Sequence, residues 1–224
     1  RVKRLVVDHP DSIDIVVDGT CITPPFPPFR IYTVAEKRQT LSAHDDWGNN
    51  VLGKILHADG DYVSNLTPST YQGVTETHDL ILDLGEMYSV DSVHLFLYGW
   101  LFPTDASINV NMSQSSAAGS IFPYLQVPDK DGKWKTVIEN ISFPKGKNKT
   151  MVVDLTGCFL TNDYRVRIRT NMQIYWDQIY YAINVSSGSL SITELYPLSA
   201  DLHYRGFSKL TKATPYSPSI PDYH

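Results

Sequence analysis

The chain has 224 residues, enough to bury a full hydrophobic core, and an all-β chain of this length often forms one domain. Its formal net charge of −5 excludes a general nucleic-acid binder, which needs a basic surface to displace phosphate counterions. The longest apolar stretch, residues 93–102, is about half the roughly 20 residues that cross a bilayer, so no transmembrane segment is expected.

In chain order, residues 1–7 and 13–22 read as β-rich runs joined by the turn chemistry of His9-Pro10-Asp11-Ser12, which predicts an N-terminal hairpin. Residues 23–29, Thr-Pro-Pro-Phe-Pro-Pro-Phe, lack the N–H donors of an internal strand and predict an extended connector packed by Phe26 and Phe29. A strand resumes at residues 30–34. Asp45 to Asn50 then open a short helix-like run through Val51, Leu52, Ile55 and Leu56, closed by Asp59-Gly60-Asp61. Asp45, Asp46, Asp59 and Asp61 could offer oxygen ligands to calcium, but the full EF-hand spacing is absent and such clusters also serve as caps and turns.

From His78 the chain is densely β-forming. Leu80, Leu82 and Leu84 alternate with Asp79, Ile81 and Asp83 up to a Gly85-Glu86 turn. Residues 93–97, apolar at nearly every position, predict a central strand buried on both faces and ended by Gly99-Trp100. Further strands are expected at 107–111, 124–127, 134–138, 150–155 and 165–169, separated by turn sequences such as Asp129-Lys130-Asp131-Gly132. The clearest strand pair is residues 164–181. Tyr164, Val166 and Ile168 alternate with Arg165, Arg167 and Arg169, giving one core face and one cationic face. After Thr170-Asn171, Ile174, Trp176 and Gln178 share one face of a second strand and Tyr175, Asp177 and Ile179 the other.

Strands spaced this evenly, without a sustained helical period, predict an all-β fold: a mostly antiparallel, jelly-roll-like β-sandwich with a short helical insertion and proline-rich connectors. We expect a hairpin and connector over residues 1–42, the sandwich over 43–198 and the start of a C-terminal extension over 199–224. A chain that begins at Arg1 and stops just after a proline-rich run is expected to be a fragment of a larger protein. Cys21 and Cys158 lack metal-ligand spacing and read as thiols or as one disulfide. Asn-x-Ser/Thr sequons begin at Asn65, Asn111, Asn140, Asn148 and Asn184, and matter only in a compartment with glycosylation machinery.

An ordered series of motifs adds a family resemblance. It comprises residues 93–100, 105–111, Pro123-Tyr124-Leu125, Asp131-Gly132-Lys133-Trp134, Phe143-Pro144-Lys145-Gly146, Asp154-Leu155-Thr156-Gly157, residues 167–177 and residues 200–208, with His44 to Val51 upstream. From about Ala43 onward the chain resembles a module near the C-terminus of bacterial proteins of the cartilage acidic protein and UnbV (ASPIC/UnbV) family, which carry FG-GAP propeller repeats and often tetratricopeptide repeats. The resemblance implies an exported, multi-domain protein that is extracellular, periplasmic or on the cell surface. It carries over no catalytic residue.

The search for catalytic motifs is mostly negative. The chain has no Gly-x-Ser-x-Gly, no His-Glu-x-x-His, no phosphate-cradling glycine loop and no Cys-x-x-Cys, and its histidines are scattered. The expectation is a non-enzymatic module needing no cofactor. Its partner would be a glycan or protein surface, or copies of the chain itself through the N-terminal run. For a sugar, aromatic rings stack on the apolar face of a pyranose while polar groups order its hydroxyls. Tyr98, Trp100, Arg167, Arg169, Asn171, Tyr175, Trp176 and Asp177 have the right chemistry near strand ends. In the structural alternative, Trp100 and Trp176 plug the core and the arginines pair with Asp79 or Asp83 across the sheet.

Overall fold

The structure is a computed structural model that describes residues 4–21, 30–87, 92–115, 119–144, 146–185, 190–204 and 206–223. The strands, in chain order, are β1 (Arg4–Asp8), β2 (Asp14–Val17), β3 (Ile31–Val34), β4 (Ser42–Asp45), β5 (Val74–Asp83), β6 (Val93–Leu101), β7 (Tyr124–Pro128), β8 (Trp134–Ile138), β9 (Lys149–Asp154), β10 (Arg165–Met172), β11 (Ile174–Ile183), β12 (Ser191–Leu195), β13 (Leu210–Thr211) and β14 (Ile220–Pro221). A 3₁₀ turn covers Leu52–Ile55, and the helix α1 covers Ala106–Gln114.

Two antiparallel sheets form the body, one of five strands in the order β4-β5-β10-β7-β8 and one of three in the order β11-β6-β9. From β5 to β11 the chain crosses repeatedly between them, the connectivity of a jelly roll. Leu80, Leu82, Leu125, Val127, Val166 and Ile168 from the larger sheet meet Leu95, Leu97, Met151, Val153, Trp176 and Ile179 from the smaller in one buried cluster. The alternation of wet and dry side chains therefore produces the expected sandwich, because each strand can hide only its apolar face against the facing sheet. β6, the middle strand of the smaller sheet, is buried on both faces: Phe96 stacks on Tyr180 at 4.8 Å outside the main core, and Leu95 and Leu97 point into it. No helix among the described residues is long and apolar enough to cross a membrane.

Several local expectations are corrected. β1 does not pair with β2; it pairs with β12, and β2 pairs with β3, although the His9–Ser12 turn does form through the Ile13 N–H to Pro10 carbonyl bond. β10 and β11 are not partners either, since the chain changes sheets at Gln173. Residues 106–114 are helical because Asp105 caps them, its carboxylate accepting the Ile108 N–H at 2.8 Å. β6 runs through Gly99-Trp100 to Leu101. The predicted connector at 23–29 lies outside the described residues.

The phase of β11 is also corrected. Trp176 faces Gly99 while Gln178 faces Tyr98, so Asp177 is an extra residue in a β-bulge. The bulge reverses the alternation, and Ile179 and Tyr181 join Trp176 in the core. Gly99 makes the bulge possible: a Cβ there would lie 2.3 Å from the Tyr175 carbonyl oxygen.

Candidate functional site

The eight residues expected to bind a ligand are divided between the two sheets. β10 presents Arg165, Arg167 and Arg169 on the outer face of the five-stranded sheet, where the register sets Arg167 between Ile81 and Gln126, and Arg169 between Asp79 and Tyr124. Arg167 donates to the Gln126 side-chain oxygen, at 2.8 Å from Nε, and its guanidinium lies 4.8 Å from the Trp134 ring centre. Arg167 and Arg169 both approach Asp79 Oδ2, at 3.4 and 3.5 Å. Contacts this long on a partly exposed sheet contribute at most about 1 kcal/mol. Burial nevertheless lowers the Arg167 pKa, with Asp79 opposing that effect. Asn171 pins a loop, donating to the Gly119 carbonyl at 2.8 Å and accepting the Ile121 N–H at 2.7 Å.

The other five residues belong to the three-stranded sheet. Trp176 is in the core. Tyr98 lines a groove of about 390 Å³ with Asp14, Lys37, Gln178 and Tyr180. Asp177 is 2% exposed and accepts the Gly60 N–H at 2.9 Å; burial, with Asp59 and Asp61 nearby, pushes its carboxyl above the ordinary value. Trp100 and Tyr175 stack at 5.4 Å in a third buried cluster with Tyr62.

That aromatic platform supports a cleft of about 420 Å³. Trp100 and Phe102 meet edge to face at 5.8 Å and form its floor with Leu101 and Pro103. Lys147 enters from the β8–β9 connection, Gln72 from the loop before β5, and Lys212, Pro218 and Ser219 from the C-terminal tail. The tail is held by the Trp100 indole N–H, which donates to the Tyr216 carbonyl at 2.8 Å, and by the Tyr216 ring, 5.8 Å from that of Tyr175. Phe102 is half-buried and offers a ring to a ligand, whereas Trp100, 5% exposed, backs it. Sequence reasoning reached Trp100 and missed Phe102, Lys147, Lys212, Gln72 and Ser219, which carry no shared spacing signal.

Three of the four aspartates considered for calcium have other partners. Asp45 accepts four N–H bonds of 2.8–3.0 Å, from the Trp47 and Asn49 main chain and from the Asn49 and Asn65 amides. Asp61 pairs with Lys54 at 2.6 Å, and Asp59 accepts the Asp61 N–H. Asp46 is exposed. Among the described residues, no group of three or more His, Cys, Asp or Glu side chains is placed to hold a metal ion.

Burial opposes ionisation of Asp45, but its hydrogen bonds outweigh that effect and hold the carboxyl below its ordinary value of 3.8. A folded-state value below the unfolded one means that the carboxylate stabilises the fold above pH 3.8, and that this contribution fades as pH falls through the folded value. Asp45→Ala is expected to cost about 2–3 kcal/mol near neutral pH by stranding charge-assisted donors. In urea titrations, the gap between wild type and Asp45→Asn should shrink as pH falls below 3.8; a gap independent of pH would contradict the ionised cap.

Among the sequon asparagines, Asn65 donates its amide to Asp45 and Asn148 donates to the Tyr62 hydroxyl at 2.7 Å, so the nitrogen that would carry a glycan is engaged within the fold. Asn111, Asn140 and Asn184 are exposed. Cys21 and Cys158 are free, partly buried thiols, and burial raises the Cys158 pKa.

No protein-family model and no curated protein matches the chain. A solved structure that does match is the enzymatically active domain of tailspike protein 4 from bacteriophage CBA120, at 10% sequence identity and a TM-score of 0.32, covering 81% of this chain. The match covers 19% of that chain. The expectation of a non-enzymatic module is corrected on this finding, because the matched domain is described as enzymatically active. A TM-score of 0.32 assigns no reaction, substrate or residue role to this chain.

Proposed function

We propose that this β-sandwich binds carbohydrate in the Trp100–Phe102 cleft, as part of an exported protein, and that the sugar is acidic. The supporting observation is the cleft's composition. The apolar Trp100, Leu101, Phe102 and Pro103 line it together with Lys147, Lys212, Gln72 and Ser219, and among the described residues no carboxylate lines it. In a chain of net charge −5, that local excess of positive charge favours an anionic ligand. The volume of about 420 Å³ lies within the ~300–1,000 Å³ typical of small-ligand sites. The exported setting follows the motif resemblance to the ASPIC/UnbV module.

A glycan array probed with the wild-type chain is expected to give signal on uronic-acid or sialylated glycans. Phe102→Ala and the Lys147→Ala/Lys212→Ala pair should each lower that signal at least tenfold with thermal midpoints unchanged. Binding that survives all these changes and disappears in Arg169→Ala would move the site to the five-stranded sheet and overturn the assignment to the cleft.

A further inference from the structure

The residues between β12 and β13 carry the most exposed apolar side chains among the described residues. Leu198, Leu202, Tyr204 and Phe207 are 107%, 100%, 82% and 98% exposed, values that belong to an unfolded chain. β12 is exposed at every position, and no residue of β1 or β12 belongs to the described core clusters. A lone two-stranded ribbon is at best marginally stable in water. Directly after this arm, the tail docks well. Ser217 is 4% exposed, the Thr214 hydroxyl donates to the Gly60 carbonyl at 3.2 Å, and the Tyr216 carbonyl accepts the Trp100 indole N–H.

An arm whose apolar side chains Leu198, Leu202, Tyr204 and Phe207 are exposed, leading to a segment that fits a preformed platform, is the layout from which segments are exchanged between subunits. We infer that residues 210–221 are exchanged between copies of this chain, each tail docking on the Trp100–Tyr175 platform of its neighbour. The occupant is a second copy because every copy carries the surface that this tail already fits. Fully extended at ~3.3 Å per residue, residues 196–209 span roughly 46 Å, against a radius of gyration of about 17 Å for a compact chain of this size. The crossing is therefore within reach. In the exchanged form, the exposed apolar side chains of the arm lie between copies, where they can be buried. The partner also completes the cleft, since Lys212, Pro218 and Ser219 belong to the tail. This inference rests on the arm and its docked end, and stands independently of which ligand the cleft takes.

The test uses the full chain in two differently tagged copies, co-expressed, with p-benzoylphenylalanine replacing Tyr216 in one copy only. Irradiation is expected to join that residue to the Trp100 or Tyr175 peptide of the other-tagged copy, and light scattering should give a mass of two or more chains. Leu202→Asp/Phe207→Asp should reduce the associated fraction at least tenfold while leaving the thermal midpoint of the sandwich unchanged. Cross-links confined to the benzophenone-bearing chain, or a single-chain mass at all concentrations up to the solubility limit, would overturn the exchange. Glycan-array signal from such a single-chain species would leave the carbohydrate reading standing, so the two can fail separately.

Discussion

Trp176→Ala is expected to destabilise the sandwich by about 4 kcal/mol, in the range of 3–5 kcal/mol for emptying a large aromatic from a core. Trp176 is 3% exposed, lies with Leu95, Leu97, Ile168 and Ile179 between the sheets, and has its carbonyl fixed by the Val63 N–H at 2.8 Å. Both sheets are paired at that level, Trp176 opposite Gly99 and Ile168 between Leu80 and Leu125, which resists collapse into the space. For a chain of this length, roughly 2–4 °C per kcal/mol translates this into a midpoint lowered by about 8–16 °C. Urea unfolding should show the midpoint shifted with its slope unchanged. A loss below 1 kcal/mol would mean that the indole faces solvent, as a sugar-stacking role would require, and would refute its place in the core.

Gly99→Ala should be about as damaging for the opposite reason, costing about 3 kcal/mol or more through overpacking. The added carbon would sit 2.3 Å from the Tyr175 carbonyl oxygen, 2.9 Å from Trp176 Cε3 and 3.1 Å from Trp176 Cα. Two of these are backbone atoms in the middle of a paired strand, so relief requires β6 and β11 to separate at the bulge. Gly53→Ala is the control: an added carbon there meets no atom within 4 Å, and the change should stay within about 0.5 kcal/mol. If the two variants unfold at the same denaturant concentration, the close approach of β11 over Gly99 is not real.

Where a reading depended on neighbours in the chain, the sequence was sufficient. The alternation of Val166 and Ile168 with Arg165, Arg167 and Arg169 places side chains on opposite faces whatever the strand pairs with. It failed where a non-local contact or one capping bond intervened. Residues 107–111 alternate as a strand would, yet the Asp105 cap and the burial of Met112 four residues beyond Ile108 select a helix, leaving Val110 55% exposed. Asp177 reads as one more step of an alternating strand, and only its pairing against Gly99 and Tyr98 reveals the bulge that turns Ile179 inward.

The candidate site shows the same division more sharply. Trp100 could be singled out by its chemistry, but Gln72, Lys147 and Lys212 come from separate segments and meet only once a tail is docked on the platform. The amino-acid order by itself determined that the chain is an antiparallel sandwich and which face of most strands is dry, because both follow from side-chain periodicity and the need to bury apolar surface. The tertiary structure alone decided which strands pair, where β11 changes phase and which residues share a cleft. Those outcomes depend on contacts between residues tens of positions apart, whose free energies exist only once both partners are in place.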